Sequence, residues 1–311
     1  MNNVNSKMYE RLERFQQILK QDKLECPLSG LAVYKSIDDF DNLKNSVLNF
    51  ILTNLEYSFP NEKFAICDDF LDKYYDFIIN LPNKTPNGLL LFQKETQDAY
   101  NKMHKFFSKF ALKFLKIDNI EKIHIPINCR ISDGAALNFD ARPRASSKWH
   151  IDVWAGEPVQ SFLMFMPILG SCHASTVRYI NGEVTNDMLV EQNDYLNKPV
   201  KFYKDNFYDL EDNTFVIADS LVFHQTLRLK NHLRVSIDCR GIYKEKLNYE
   251  KNNFRFREKN YFIPNIWSSI NTKFDLTTNF SFSNIEERLK NNNINEINTS
   301  YPLDFELNKI D

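Results

Sequence analysis

The sequence has few glycines, few cysteines and no long apolar run. Its seven glycines, among 311 residues, form no glycine-rich phosphate loop. Its five cysteines contain no CxxC pair, which argues against a disulfide framework or a zinc knuckle and favours reduced thiols. The longest apolar run, at 162–169, is far too short to span a bilayer. The residues also offer no plausible Ser-His-Asp arrangement.

The chain carries little net charge and has the composition of a large folded protein. A net charge of −2 gives no general attraction to nucleic acid or acidic membranes. The first ten residues lack the apolar core of a secretory signal. We therefore expect a cytoplasmic protein without a nucleic-acid or membrane partner, while the oligomeric state stays open. A hydrophobic content of 43% excludes a disordered or fibrous chain, and the length allows a large core.

The residue pattern changes twice along the chain. Residues 1–120 are predicted to be mainly helical, with one helix around 38–55 and another over 96–116, each with apolar side chains at spacings of three and four. Residues 121–245 are rich in β-branched and aromatic residues and are predicted to form a sheet-rich catalytic core. Residues 246–311 are rich in Asn and Lys and are predicted to be an extension, lid or tail. This order indicates an α+β protein, and we expect all three parts to form one composite domain.

Within the sheet-rich part, the apolar stretch "SFLMFMPILG" ends at a glycine and is typical of a buried strand. The polar segment 181–213 is predicted to be a long excursion between strands.

The short segment "KWHIDVW" places a histidine and an aspartate two residues apart. In an extended strand, such residues point to the same side. His150 and Asp152 are therefore predicted to project together, with Ile151 and Val153 on the opposite face. Trp154 would continue the face of the polar pair. The pair alone is weak evidence, because a chain with many acidic residues supplies one such spacing by chance.

A second histidine gives the pair a chemical meaning. His224 lies 74 residues after His150, at the end of another apolar strand in "DSLVFHQT". Two histidines and one carboxylate are the ligands of the facial triad of non-haem iron(II) oxygenases. This triad leaves metal positions open for a 2-oxo acid and dioxygen. His150, Asp152 and His224 are the predicted metal ligands and catalytic residues.

The next strand supplies the predicted partner for the far carboxylate of 2-oxoglutarate. A buried carboxylate needs a cation, and the planar fork of arginine matches it. Arg234 follows His224 by ten residues and alternates with apolar residues in "LRVSIDCR". Ser236 shares its strand face, and Thr226 could lend a hydroxyl to the same anion. Arg240 lies on that face too, but its distance from His224 makes it the weaker candidate.

These residues resemble a known family over roughly residues 125–242. "HxD" at 150–152, the histidine and threonine of "HQT" and "RxS" at 234–236 resemble the iron(II)/2-oxoglutarate dioxygenases. The resemblance is closer to their phytanoyl-CoA dioxygenase-like branch, including hydroxylases of streptomycin-pathway type. It implies a double-stranded β-helix, or jelly roll, of cupin-like form with flanking helices. It also implies iron(II), 2-oxoglutarate and dioxygen, with 2-oxoglutarate converted to succinate while a second substrate is oxidised.

The resemblance implies a role for each matched residue. His150, Asp152 and His224 would bind iron, and Arg234 with Thr226 would bind the cosubstrate. Ser236 is a weaker match, because it follows the penicillin-synthase-like branch more than the closer one. The carboxylate of Asp152 favours hydroxylation or desaturation over halogenation, since related halogenases have a small residue there.

The prime substrate is expected to be a small molecule, such as a sugar, amino acid or other metabolite. The polar residues singled out for substrate contact are Asn138, Arg144 and Arg178, with Trp154 as an aromatic candidate that could equally be packing. Two other functions stay open. One is a cupin-like metal enzyme that does not use 2-oxoglutarate, and the other is a non-catalytic jelly-roll protein that binds a ligand.

Overall fold

The computed structural model describes residues 2–22, 24–35, 40–85, 87–133, 144–173, 175–190, 192, 194–195, 200–228, 232–244, 261–268, 273–274 and 307–308. The helices within these ranges are α1 (Asn2–Gln17), α2 (Asp41–Ser58), α3 (Phe70–Lys73), α4 (Tyr75–Ile79), α5 (Gln97–Ala111) and α6 (Pro264–Trp267). The strands are β1 (Leu24–Leu28), β2 (Leu31–Tyr34), β3 (Leu89–Leu90), β4 (Ile120–His124), β5 (Asn128–Asp133), β6 (Ser161–Gly170), β7 (Ser175–Gly182), β8 (Phe202–Asp209), β9 (Phe215–Asp219), β10 (Phe223–Arg228), β11 (Leu233–Tyr243), β12 (Tyr261–Phe262), β13 (Lys273–Phe274) and β14 (Leu307–Asn308).

The strands form antiparallel sheets. The largest has nine strands, with a path in the order β1-β2-β9-β6-β11-β4-β12, and β5 pairs with β11 and β3 beside this path. A second sheet has the order β10-β7-β8. The fold is therefore mixed, with helices and antiparallel sheets. A strand from the predicted helical front, β2, pairs with β9 of the predicted core.

The central strands of the large sheet are covered on both faces. In β6, Phe162, Met164 and Met166 pack in a cluster with apolar residues of α2 and α5. Leu163 and Phe165, between them, pack in another cluster with residues of β7. Alternate side chains of one strand thus enter two different cores. The large sheet lies between a helical layer and the smaller sheet, which explains why the strand is a continuous apolar run.

Side chains of strand β11 also alternate between two faces, of which one is apolar and the other, called here the inner face, is polar. Leu233, Val235, Ile237 and Cys239 pack in the helix-side cluster. Their neighbours Arg234, Ser236, Asp238 and Arg240 alternate with them and are also buried. This arrangement confirms the predicted alternation of "LRVSIDCR". It places four polar side chains on the face that looks toward the smaller sheet.

Several predicted elements are confirmed, and the prediction for segment 181–213 is wrong. Helices α2 and α5 and strand β6 occur where the apolar spacing predicts them. The polar segment 181–213 was predicted to be an excursion, but it contains β8, which pairs with β7. This strand lies at the edge of its sheet with exposed Tyr203 and Phe207, so its sequence lacks the apolar alternation of a covered strand.

The segment 261–268 contains the edge strand β12 of the large sheet and helix α6, and it anchors this part of the chain. Trp267 is fully buried in the helix-side cluster, and its indole nitrogen donates a hydrogen bond to the His124 carbonyl oxygen at 3.1 Å. The predicted apolar anchor in "NYFIPNIWSSI" is confirmed. In the part of the chain that the structure describes, no helix is long and apolar enough to cross a membrane.

Candidate active site

A short backbone bridge brings the two predicted histidine ligands together. The His150 amide donates to the His224 carbonyl oxygen at 3.0 Å, and the His224 amide donates to the His150 carbonyl oxygen at 2.9 Å. This isolated antiparallel bridge joins residues 74 positions apart in the sequence. The ring centroids of the two histidines are 4.3 Å apart. Two imidazoles therefore lie side by side at one end of β10.

Asp152 reaches the same place by a different backbone conformation from the one predicted. The strand prediction for 150–154 is wrong beyond His150, because Asp152–Ala155 form one turn of 3-10 helix. The Asp152 amide donates to the Ser220 carbonyl oxygen at 3.1 Å, which fixes the start of the turn. The carboxylate nevertheless faces the histidines, with Oδ1 4.0 Å from Nε2 of His224.

The histidine rings are oriented in the manner of metal ligands. Nδ1 of His150 lies 2.7 Å from the Lys148 carbonyl oxygen, and Nδ1 of His224 lies 3.1 Å from that of Val222. A carbonyl acceptor fixes the proton on Nδ1 and leaves Nε2 as the nitrogen available to a metal. Burial, with the neighbouring His224, lowers the pKa of His150 to about 3, so the ring is neutral near pH 7.

The carboxylate is held in its charged form. Burial alone would raise the pKa of Asp152, but the charge of Arg240, followed by that of His224, lowers it to about 2. The neutral imidazole of His150 and the ionised carboxylate of Asp152 are in the protonation states that metal binding requires. The donor set of His150, Asp152 and His224 therefore fits a divalent metal such as iron(II).

The donor atoms of His224 and Asp152 lie near each other but farther apart than two ligands of one metal ion. Among the described residues, no group of three His, Cys, Asp or Glu side chains has the arrangement of a formed metal site. Ligands about 2.1 Å from one ion and at right angles to each other lie about 3 Å apart, which is less than the 4.0 Å between His224 and Asp152.

A cavity between the two sheets leads away from this group. His224, Thr226 and Arg228 alternate along β10 and all line the cavity. Arg234, Asp238 and Arg240 line it from β11. The strand faces predicted to carry the metal ligand and the carboxylate clamp thus meet across one space. Ser236 lies on the same face of β11 but is not among the lining residues, and its buried hydroxyl has no hydrogen-bond partner among the described residues.

Arg234 is a buried cation at the wall of this cavity. Its Nη1 donates to the Ser175 carbonyl oxygen at 2.6 Å, and its guanidinium lies 5.4 Å from the ring centre of Phe165. Its Nε is buried and has no hydrogen-bond partner among the described residues. Within the described ranges, no carboxylate forms an ion pair with it, and burial lowers its pKa to about 10. A buried guanidinium of this kind is costly unless an anion compensates it.

Arg240 has the opposite environment. Three carboxylates surround it: Asp152 at 3.0 Å, Glu157 at 3.3 Å and Asp238 at 3.4 Å. Its charge is therefore already compensated within the protein. This difference favours Arg234 over Arg240 as the residue that receives an external carboxylate.

Two tyrosines of the cavity were not predicted from the sequence. Tyr179, on β7, lies opposite His224 in the strand pair, and its buried hydroxyl has no hydrogen-bond partner among the described residues. Tyr195 stacks on His150, with ring centroids 4.8 Å apart and planes inclined by 4°. Neither tyrosine belongs to a local motif, and only the strand register and the tertiary fold bring them to the site.

The four residues singled out for substrate contact have different positions. Arg144 is buried and lines the cavity. Trp154 packs in an apolar cluster and donates to the Met188 carbonyl oxygen at 2.9 Å, so it is not among the lining residues. Arg178 pairs with Asp209 and lies over the Phe207 ring, also away from the cavity lining. Asn138 lies outside the described residues.

Comparisons with known proteins give only weak likenesses. No family model matches the chain, and no curated protein matches it. Solved structures that align with it include the non-haem α-ketoglutarate-dependent epimerase SnoN from nogalamycin biosynthesis, at 8% identity over 76% of this chain and 84% of that chain, with a TM-score of 0.36. EctD from S. alaskensis, solved with 2-oxoglutarate and 5-hydroxyectoine, aligns at 12% identity over 80% and 83%, with a TM-score of 0.34.

A third structure is an N-substituted L-amino acid dioxygenase from Burkholderia ambifaria in complex with α-ketoglutarate. It aligns at 9% identity over 77% of this chain and 87% of that chain, with a TM-score of 0.34. These proteins are of the class that the sequence motifs resemble. With TM-scores below 0.5, these likenesses assign no function to this chain.

Proposed function

We propose that the chain is an iron(II)- and 2-oxoglutarate-dependent oxygenase that hydroxylates a small molecule. His150, Asp152 and His224 would hold the iron, and Arg234 with Thr226 would bind the far carboxylate of 2-oxoglutarate. The bound metal and cosubstrate would supply the oxidising chemistry through dioxygen. The chain itself would orient both substrates and keep bulk water from the site.

The proposal rests on the guanidinium of Arg234, which is buried, has no carboxylate partner among the described residues and lines the same cavity as the three donor side chains. A metal enzyme without 2-oxoglutarate would leave this charge without a purpose. A carboxylate between Arg234 and the histidines would compensate it, and Thr226 lines the same wall. Ser236 and the orphan hydroxyl of Tyr179 are further donors on the inner faces of these strands.

The architecture is consistent with the proposed class. We infer that the two antiparallel sheets and the cavity between them form a jelly roll, covered by helices on the outer face of the larger sheet. The pairing of β2 with β9 supports one composite domain over separate front and core domains. Arg144 is the best-placed of the proposed substrate residues, whereas Trp154 and Arg178 would act, if at all, through packing or at the surface.

The test is release of succinate from 2-oxoglutarate in the presence of iron(II) and dioxygen, measured by mass spectrometry. We expect succinate from the wild-type protein and a further increase with the prime substrate, whose product gains one atom of oxygen from labelled dioxygen. His150→Ala should abolish release. His173→Ala, at an exposed histidine, is the matched control and should retain it.

Three outcomes separate the alternatives. If the protein binds metal but releases no succinate from 2-oxoglutarate in the presence of a broad panel of small acids, sugars and amino acids, a cupin-like enzyme without 2-oxoglutarate is favoured. Binding of small ligands without metal dependence would favour a non-catalytic protein. Succinate release without oxygen transfer to the substrate would retain the class but replace hydroxylation by another oxidation, such as desaturation.

A further inference from the structure

The second arginine of the β11 inner face lies directly against the proposed iron ligand. Nη2 of Arg240 donates to Oδ1 of Asp152 at 3.0 Å, and both side chains are buried. Oδ1 is also the carboxylate atom that faces Nε2 of His224. The rings of His150 and His224 are each fixed by a contact between Nδ1 and a backbone carbonyl oxygen. The third proposed ligand, Asp152, is instead contacted by Arg240. Arg240 is paired with Leu163 of β6, and on the other side of β11 the pairing with β5 ends at Asp238 and that with β4 begins at Gly241.

The contact belongs to a larger buried network of charges. Arg240 also faces Glu157 at 3.3 Å and Asp238 at 3.4 Å, and Arg130 pairs with the other oxygen of Asp238. Three carboxylates and two guanidinium groups leave one excess negative charge when all are ionised. A metal cation beside Asp152 would compensate this excess.

We propose that Arg240 is a positioning residue that aims the carboxylate of Asp152 at the metal. This inference rests on the proposed function, because it assigns a role toward the proposed iron ligands. The guanidinium of Arg240 holds Oδ1 of Asp152 at the first residue of the 3-10 turn. The planar fork lets one residue contact three carboxylates from a fixed direction, which the point charge of lysine does not reproduce.

A second arginine of the same charge network, Arg130, provides the control for Arg240. Arg130 lies on β5, lines the same cavity and pairs with the same Asp238, but it makes no contact with Asp152 among the described residues. Arg240→Lys and Arg130→Lys are therefore matched changes, since each keeps the charge and loses the fork. Only the first removes a contact to the proposed ligand.

The experiment measures cobalt(II) binding to the metal-free protein by calorimetry and by the cobalt absorption spectrum, without turnover. We expect Arg240→Lys to bind cobalt about ten- to a hundredfold more weakly than wild type, as is usual when a partner of a metal ligand is lost. The cobalt spectrum should change as well. Arg130→Lys should match wild type. The midpoint of thermal unfolding of both metal-free variants is measured alongside, because a purely structural role would lower that midpoint and leave the cobalt affinity unchanged.

The outcomes distinguish this inference from the proposed function. If wild type binds no cobalt, or Asp152→Ala binds it equally well, the proposed iron site itself fails. If Asp152→Ala loses binding but Arg240→Lys does not, the iron site stands and the role of Arg240 is overturned. If Arg240→Lys does not fold, Arg240→Ala is titrated with millimolar guanidinium. Restored cobalt affinity with guanidinium but not methylammonium supports the role, and no restoration overturns it.

Discussion

At the scale of single residues, the two arginines of β11 show how similar side chains acquire different roles. They lie six positions apart on one strand face and are both buried. Arg240 has three carboxylates around it, whereas Arg234 has a carbonyl oxygen and an aromatic ring. The charge of Arg240 is compensated by the protein, whereas Arg234 has no carboxylate partner among the described residues, which is why we propose that it receives an external carboxylate. Charge compensation by neighbours, more than position in the motif, separates the two.

Replacing Arg234 by lysine should weaken 2-oxoglutarate binding without affecting the metal. Loss of a bidentate, charge-assisted contact costs about 1.5–3 kcal/mol, so we expect the dissociation constant to rise about ten- to a hundredfold. It is measured by calorimetry with cobalt(II) bound. Arg178→Lys, whose arginine pairs with Asp209 away from the cavity, is the control and should bind like wild type. Equal affinity in Arg234→Lys and wild type would remove the carboxylate role from Arg234.

At the scale of elements, a glycine sets the position of that arginine. Gly170 ends β6 with φ +77° and is paired with Arg234 on β11. A Cβ there would lie 1.9 Å from the Leu233 carbonyl oxygen, so the backbone next to Arg234 has to move. Gly30 has the same φ, but its Cβ would meet only side-chain atoms, at 3.1 Å.

The two glycines therefore make a matched pair. We expect Gly170→Ala to lower the free energy of unfolding by about 3 kcal/mol and to weaken 2-oxoglutarate binding. Gly30→Ala should lose about 1 kcal/mol from its positive φ and keep wild-type affinity. Urea unfolding and calorimetry measure both effects. If Gly170→Ala binds 2-oxoglutarate as wild type does, the β6–β11 junction does not set the arginine.

The elements also show what the sequence could and could not predict. Strands β6 and β11 were predictable from the sequence. Both are buried on two faces, which gives β6 a continuous apolar sequence and β11, with one polar face, an alternating one. The turn at Asp152 was not predictable, since a single 3-10 turn has no periodicity that a seven-residue segment could display. The meeting of His150 with His224 depends on a backbone bridge between distant segments. Motif resemblance suggested that pairing, while the tyrosines beside it left no local signal.

At the scale of the whole molecule, a buried histidine links the front of the chain to the segment after the large sheet. His104, in α5, is fully buried, and its Nε2 lies 2.9 Å from the carbonyl oxygen of Trp267 in α6. Its Nδ1 is buried with no hydrogen-bond partner among the described residues. Burial lowers the pKa of His104 to about 4. The ring is therefore neutral in the folded protein and resists protonation as the pH falls.

The free energy of unfolding should consequently fall between pH 7 and pH 5. An unfolded histidine has a pKa near 6.5, so below that pH the unfolded state binds a proton that the folded state excludes until about pH 4. Linkage gives a loss of about 2 kcal/mol at pH 5 from His104 alone. Urea unfolding of the metal-free protein at both pH values should show a decrease smaller by that amount in His104→Gln, whose amide can still donate to the Trp267 carbonyl oxygen. His173→Gln, at an exposed histidine, should retain the wild-type decrease. An equal decrease in the free energy of unfolding of His104→Gln and of wild type would contradict the assignment of this loss to protonation of His104.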